Sequence, residues 1–374
     1  MSLRDKIVKK VEGLTGKATD VAGKLTDKMQ PGPDTDAAAS QEDSTDGFIS
    51  RSSWMADIPD DVPVTTLSIP GTHDSACIDG PLDFAKTQNL DIPTQLNAGI
   101  RFLDIRLSHY QDNLLVHHDA VYMGKSYKDV LKICSDFLVR HPSETILMLI
   151  QAEDRFDSSL GDFAPSEVVG RLSRGESESR DNTRSFEDEF EDQTWEQVGT
   201  APLFYNFTAS SPGDRSSVAA SAFTAETTMG DVRGKIVLLR RFPSDRRMGF
   251  DVTYWLDDTT TRSDEDENGN PRDTEPPIYY IEDHYSSPDD KHGLIVTHIE
   301  KATRGDPKDL YITFSNAVNL QASGYSKKVN PRLNDYLSTS PEGRIGIVVM
   351  DYFEEPRELA SHVIRMNFGR DDRR

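Results

Sequence analysis

Cysteine is almost missing from this chain: Cys77 and Cys134 are the only two in 374 residues. Two thiols cannot build a disulfide framework, so a hydrophobic core must hold the fold. A reducing compartment is the simpler expectation, with a single bridge left open. Long apolar runs are missing too. None approaches the ~20 residues of a membrane span, and the N-terminus has no apolar signal-peptide core. The expectation is a cytoplasmic protein with peripheral membrane association. Positive charge is in deficit, 42 Lys and Arg against 64 Asp and Glu, a formal net charge of -22. Such a field repels nucleic acid, so no nucleic-acid partner is expected. An anionic substrate would have to be drawn in by a few convergent cations.

What is present divides into three parts. Residues 1–30 place Leu3, Ile7, Val11, Leu14, Val21, Leu25 and Met29 at threes and fours, with lysines between them. This pattern describes either a basic amphipathic helix on a membrane surface or a weakly helical tail, since Gly13, Gly16 and Gly23 each cost ~1 kcal/mol in a helix. Residues 31–48 are Pro, Gly, Ser and acid, a composition that buries nothing and predicts a disordered linker. Residues 49–374 read as one globular unit. Strands are predicted at 64–69, 100–107, 114–117, 145–151, 203–205, 235–241, 278–282, 310–315 and 345–351. Helical patterns lie at 94–98, 127–140, 187–198, 288–303, 330–337 and 356–368. Strand and helix alternating this often predict a parallel α/β sheet, open or closed into a barrel. Insertions at 157–193 and 257–275 are charged and read as exposed loops.

Chemistry gathers where the predicted strands end. Pro70-Gly71 is expected to stop the first strand and release His73-Asp74. In Arg101-Phe102-Leu103-Asp104-Ile105-Arg106, alternation sets Asp104 and Arg106 on one face. A buried carboxylate and guanidinium must pair, so a structural ion pair is one reading. A second strand ends in His117-His118, and the last predicted strand ends at Asp351. Two imidazoles and an arginine suit phosphodiester cleavage by an internal hydroxyl. One ring takes a proton, the other gives one, and the guanidinium carries the phosphate charge. Asp351 is a candidate to orient the base. Trp54, Trp195 and Trp255 are candidates for a rim dipping into the bilayer interface, with core packing expected for Trp195. Cys77 reads as packing rather than as a nucleophile.

The segments 68–75, 99–107 and 116–119 resemble the X-box signature of phosphatidylinositol-specific phospholipases C, in the metal-independent bacterial branch. The similarity extends through 144–148, 234–242, 281–285 and 346–352. The resemblance implies a distorted (β/α)8 TIM-type barrel and release of diacylglycerol and inositol 1,2-cyclic phosphate from phosphatidylinositol. It implies His73 as general base, Asp351 as its orienting carboxylate, His118 as general acid with Asp74 as partner, and Arg106 in the place a calcium ion fills in the eukaryotic branch. No cofactor and no metal are therefore expected. Arg241, Asp283 and Tyr285 match positions that grip inositol hydroxyls, and Asp104 joins the substrate-binding set. Where bacterial enzymes carry a lysine, this chain has Gln151, with Arg240 and Arg155 as candidates to compensate. The expected partner is a phospholipid surface, met by a monomer. Two alternatives stay open: a phosphodiesterase of the same barrel family acting on another headgroup, which would need a divalent ion, and a decayed lipid-binding protein.

Overall fold

The computed structural model describes residues 51–78, 85–118, 121–153, 182–198, 203–207, 222–244, 246, 248–256, 258–266, 268–274, 277–316, 322–339 and 343–368. The amphipathic segment 1–30, the linker 31–48, Arg155 and most of the insertion 157–193 lie outside them. In chain order the elements are β1 (Ile69–Thr72), α1 (Ile92–Asn97), β2 (Phe102–Tyr110), β3 (Asn113–His118), β4 (Val121–Ser126), α2 (Tyr127–Arg140), β5 (Ile146–Ala152), α3 (Phe186–Val198) and α4 (Met229–Val232). They continue with β6 (Ile236–Arg241), β7 (Phe250–Asp251), β8 (Thr260–Arg262), β9 (Tyr279–Glu282), α5 (Pro288–Arg304), β10 (Leu310–Phe314), α6 (Ala322–Thr339), β11 (Ile347–Met350) and α7 (Leu359–Arg365).

One sheet runs in the order β7-β6-β5-β2-β1-β11-β10-β9-β8. The pairings from β7 to β9 are parallel, β8 joins antiparallel to β9, and β3 and β4 form an antiparallel meander on β2. This is the expected β/α barrel in distorted form. Among the described residues no ladder joins β7 to β8, and aromatic side chains bridge that side: Phe250 meets Tyr279 edge-on at 6.0 Å, and the Tyr279 hydroxyl donates to the Tyr254 carbonyl at 2.8 Å.

Alternation along the strands sorts the core into two layers. Ile69, Phe102, Leu147, Leu149, Val237, Leu239, Ile281, Ile312, Phe314, Ile347 and Val349 fill the barrel interior. Their sequence neighbours Leu103, Ile105, Met148, Ile150, Leu238, Val348 and Met350 pack outward with helical residues such as Val130, Phe137, Ile299 and Leu333. Strands apolar on both faces are what a doubly covered parallel sheet requires.

Several expectations are corrected. Residues 64–66 form a 3-10 turn, and the strand begins where Pro-Gly was expected to end it. Pro70 still offers its carbonyl, which accepts from Arg101 N at 2.9 Å. Gly71 is needed because a Cβ there would stand 2.8 Å from Phe102 Cβ. Residues 203–205 make only a single bridge, Phe204 to Ile236. Helix α6 begins eight residues before the predicted start and carries Pro331 inside it, because Tyr325, Val329, Leu333 and Leu337 bury one continuous face. Trp54 and Trp255 are buried rather than at a rim, Trp54 donating to the Gly99 carbonyl at 3.0 Å. Both cysteines are free and buried. Among the described residues no helix is long and apolar enough to cross a membrane.

Candidate active site

The inward phase that builds the barrel core also builds the site. Continuing two residues along the inward phase leads from Gly71 to His73, from Phe102 through Asp104 to Arg106, from Leu149 to Gln151, from Leu239 to Arg241, from Ile281 to Asp283 and from Val349 to Asp351. Across β2, β5 and β6, Arg106, Gln151 and Arg241 are register partners in one rung. A ring of polar side chains therefore caps the apolar interior at the carboxyl ends of the strands, the end where barrels carry their chemistry.

Asp74 is the hub. Its Oδ2 lies 3.2 Å from His73 Nε2 and 3.5 Å from His118 Nε2, and its Oδ1 lies 3.0 Å from Arg106 Nε. Asp74 has φ 43°, in the left-handed region. Thr87 Oγ1 holds its carbonyl at 3.0 Å, and Asp104 Oδ2 accepts from its N–H at 3.3 Å. Burial opposes the charged carboxyl, but Arg106, His73 and His118 outweigh it and hold the Asp74 pKa below the ordinary value.

His73 Nδ1 donates to Asp351 Oδ1 at 2.8 Å, which leaves Nε2 facing Asp74 and Arg106. Gln88 Nε2 ties the ends of β1 and β11 together through the carbonyls of His73 and Met350, and Asn330 Nδ2 on α6 holds the carbonyls of Asp351 and Tyr352 just past β11. Two influences compete at the ring. Burial and Arg106 favour neutral imidazole, whereas Asp74 and Asp351 favour the charged form and win, raising the pKa to about 9. Arg106 Nη2 meanwhile stands 2.8 Å from Nε2, a contact that suits the neutral ring's lone pair. Arg106 thus favours the neutral tautomer, while the carboxylates of Asp74 and Asp351 stabilise the imidazolium. His118 donates from Nδ1 to the Ala85 carbonyl at 2.7 Å, directing its Nε2 to Asp74.

Arg106 is 19% exposed and also meets Asp104 at 3.4 Å and Glu153 at 3.7 Å. Asp104 is buried beneath the guanidinium, where it braces the arginine. His73, Asp74 and Asp104 offer three ligand atoms within 4.8 Å of one another. The Arg106 guanidinium already engages all three, so this donor set does not fit a metal ion beside it.

On the other side of the ring, Arg241 Nη1 donates to Gln151 Oε1 at 2.7 Å, and its guanidinium lies 3.9 Å over the Trp255 ring. Trp255 Nε1 donates to Asp283 Oδ2 at 3.2 Å. Burial raises the Asp283 pKa, against Lys291, Arg241, Arg106 and His73. Behind it, fully buried Lys291 donates to Glu282 Oε1 at 3.2 Å and to the His284 carbonyl at 2.9 Å, fixing the turn that carries Asp283. Tyr285 stands half-buried beyond it, its N–H held by Asp258 Oδ1 at 2.7 Å. Arg240 does not replace a pocket cation: it faces away from the ring and is tied to Asp251, Met248 and Phe242. Glu153, Gln88, Asn330 and Lys291 escaped the sequence reading, and Trp255 entered it only as a candidate for a rim. Only Glu153, two residues past Gln151, carried a usable signal.

Comparison with known proteins finds relatives of this chain and of its fold. A family model described as PI-PLC X matches residues 63–166. A 1-phosphatidylinositol phosphodiesterase of Listeria monocytogenes is 35% identical over 117 residues, covering 30% of this chain and 36% of that protein. The protein of the same name from Staphylococcus aureus is 25% identical over 320 residues, covering 81% of this chain and 88% of that one. A solved phosphatidylinositol-specific phospholipase C from Staphylococcus aureus superposes with a TM-score of 0.66 at 23% identity, covering 85% of this chain and 98% of that chain. That likeness establishes the fold.

Proposed function

From the premise that residues 63–166 are a PI-PLC X unit within a bacterial-type barrel, we propose that this chain is a phosphatidylinositol-specific phospholipase C. His73 Nε2 takes the proton of the inositol 2-hydroxyl as that oxygen bonds to phosphorus. The bond from phosphorus to the diacylglycerol oxygen breaks, and His118 Nε2 delivers its proton to the departing oxygen. Diacylglycerol and inositol 1,2-cyclic phosphate result, and exchange with solvent resets the two rings. Arg106 carries the charge on the non-bridging oxygens with a planar fork. Asp351 orients His73 and steadies its imidazolium, Asp74 serves both histidines, and Asp104 positions Arg106. Arg241, Asp283, Tyr285 and Gln151 receive the headgroup. No step needs a metal or cofactor.

The observation that carries this reading is the convergence of two imidazoles and one guanidinium on the single carboxylate of Asp74. In this reading the chain works from the cytoplasm as a monomer at a phospholipid surface, with residues 1–30 as the docking segment and no nucleic-acid partner. The deciding experiment is phosphorus NMR of phosphatidylinositol vesicles treated with the protein in the presence of chelator. A cyclic phosphodiester resonance is expected. Turnover only after adding a divalent ion, or no turnover at all, would overturn the proposal.

A further inference from the structure

The inward ring has a member on β10 to which nothing has yet been assigned. Ile312 and Phe314 point into the barrel interior, so the same phase reaches Asn316. Strand geometry persists that far: Ser315 N still donates to the Val349 carbonyl at 2.9 Å. Continuing the register from Phe314↔Val349 sets Asn316 opposite Asp351. Continuing it from Thr313↔Glu282 sets Asn316 level with Tyr285 on the other side. The end of β10 is close to the reacting centre, since the Phe314 ring meets His73 at 6.2 Å and Trp255 at 5.1 Å. Asn316 is 4% exposed, and its Oδ1 is buried with no hydrogen-bond partner among the described residues.

An orphaned buried amide oxygen destabilises the free protein, because the desolvation of that group is not repaid. The neighbouring ring members are spent differently. Asp351 holds His73 through Oδ1, and Asp283 holds Trp255 through Oδ2 and keeps Oδ1 for the headgroup. The oxygen of Asn316 is an unspent acceptor between them. What it lacks is an O–H or N–H donor, and the headgroup of the proposed substrate is a ring of hydroxyls.

We propose that Asn316 is a substrate-binding residue whose side-chain carbonyl accepts a hydrogen bond from one hydroxyl of the polyol headgroup. This rests on the phosphatidylinositol reading above. The acceptor is neutral, so it holds a hydroxyl without placing a further carboxylate beside Asp351 and Asp283. Its partner is missing only until the substrate arrives, which makes the bond selective for a headgroup with a donor at that position.

The test uses the full chain and short-chain phosphatidylinositol, with Asn316→Leu and Asn316→Ala. KM is expected to rise on the order of tenfold in both, with kcat changed much less. The melting temperature of Asn316→Leu is expected to stay level or rise, because an apolar group replaces an unsatisfied one. A merely structural asparagine would instead lose stability and leave KM alone. On substrates lacking one ring hydroxyl each, the penalty of Asn316→Ala should vanish for a single analogue. An unchanged KM in a folded variant, or the same penalty on every analogue, overturns the assignment of Asn316. Failure of the wild-type chain to cleave phosphatidylinositol would overturn the parent reading instead.

Discussion

Arg101 and Arg106 are five residues apart on the same stretch of chain, and they have opposite fates. Arg101, at the amino end of the barrel, is fully buried with every donor used. Its Nε and Nη2 bind Glu144 Oε2 at 3.0 and 2.8 Å, while Nη1 and Nη2 take the carbonyls of Leu96, Ile100 and Ser52, and the Phe137 ring packs at 4.6 Å. One carboxylate faces it. Arg106, at the carboxyl end, is partly open and faces Asp74, Asp104 and Glu153 as well as His73. The first is saturated and serves as a strut. The second sits in a surplus of carboxylate, where one entering phosphate can redraw the bonds. A structural arginine is thus told apart from a candidate catalytic one by how many of its neighbours have alternatives.

The sharpest way to break this comparison is at the groups around Arg106. His73→Ala and His118→Ala are each expected to lower kcat by ~10²–10⁴-fold with the fold intact. Near-normal turnover in either, measured on short-chain phosphatidylinositol, would remove the acid–base assignment. Arg106→Lys keeps the charge and loses the fork, and a fall on the order of 10²-fold in kcat is expected. The opposite pattern is expected at the other end. Arg101→Met leaves Glu144 buried without its partner and should cost about 3–5 kcal/mol of stability in denaturant titration, with turnover per folded molecule near normal. A catalytic defect there without loss of stability would erase the distinction between the two arginines.

pH sharpens the comparison further. In the proposed role of His73 as base, its pKa raised to about 9 predicts that competent base accumulates as pH rises towards that value. Asp74→Asn removes one of the two carboxylates that raise it, so the acid limb of kcat/KM should move to lower pH. A limb that stays in place would leave the His73–Asp74 coupling unsupported. The stability linked to this raised pKa is fully present below the unfolded value of ~6.5 and declines as pH rises to about 9. The smallest effect expected is from deleting residues 1–30, which should weaken activity on vesicles severalfold and leave the short-chain rate unchanged. Equal loss on both substrates would count against a docking role.

How much of this was legible depended on whether a residue announces itself by type and phase. His73, Arg106, His118 and Asp351 did so, because charged groups at the ends of apolar strands are costly unless used. The barrel did so through strands apolar on both faces. Asn316 did not, because an asparagine after a strand reads as turn chemistry until the β10 register shows it facing inward. Trp255 was by its side-chain class only a candidate for a rim, yet its ring carries the Arg241 guanidinium, a contact between separate segments that no local pattern encodes. The misplaced first strand has a similar cause. Proline and glycine terminate strands as a rule, and only the close approach of Phe102 explains why glycine is wanted inside this one.

Residue 74 has a further consequence. Side chains adjacent on an extended strand diverge, yet His73 and Asp74 meet at 3.2 Å because the backbone reverses hand between them. Tyr352, with φ 46°, makes the same reversal just after Asp351 on the neighbouring strand. The chain therefore pivots twice, side by side, at the mouth of the barrel, and each pivot restricts which residues can occupy it. Asparagine or glycine at 74 would keep the pivot, whereas alanine or a branched side chain would work against it by about 1–2 kcal/mol. A library built at this position would be filtered by backbone handedness before chemistry was tested at all.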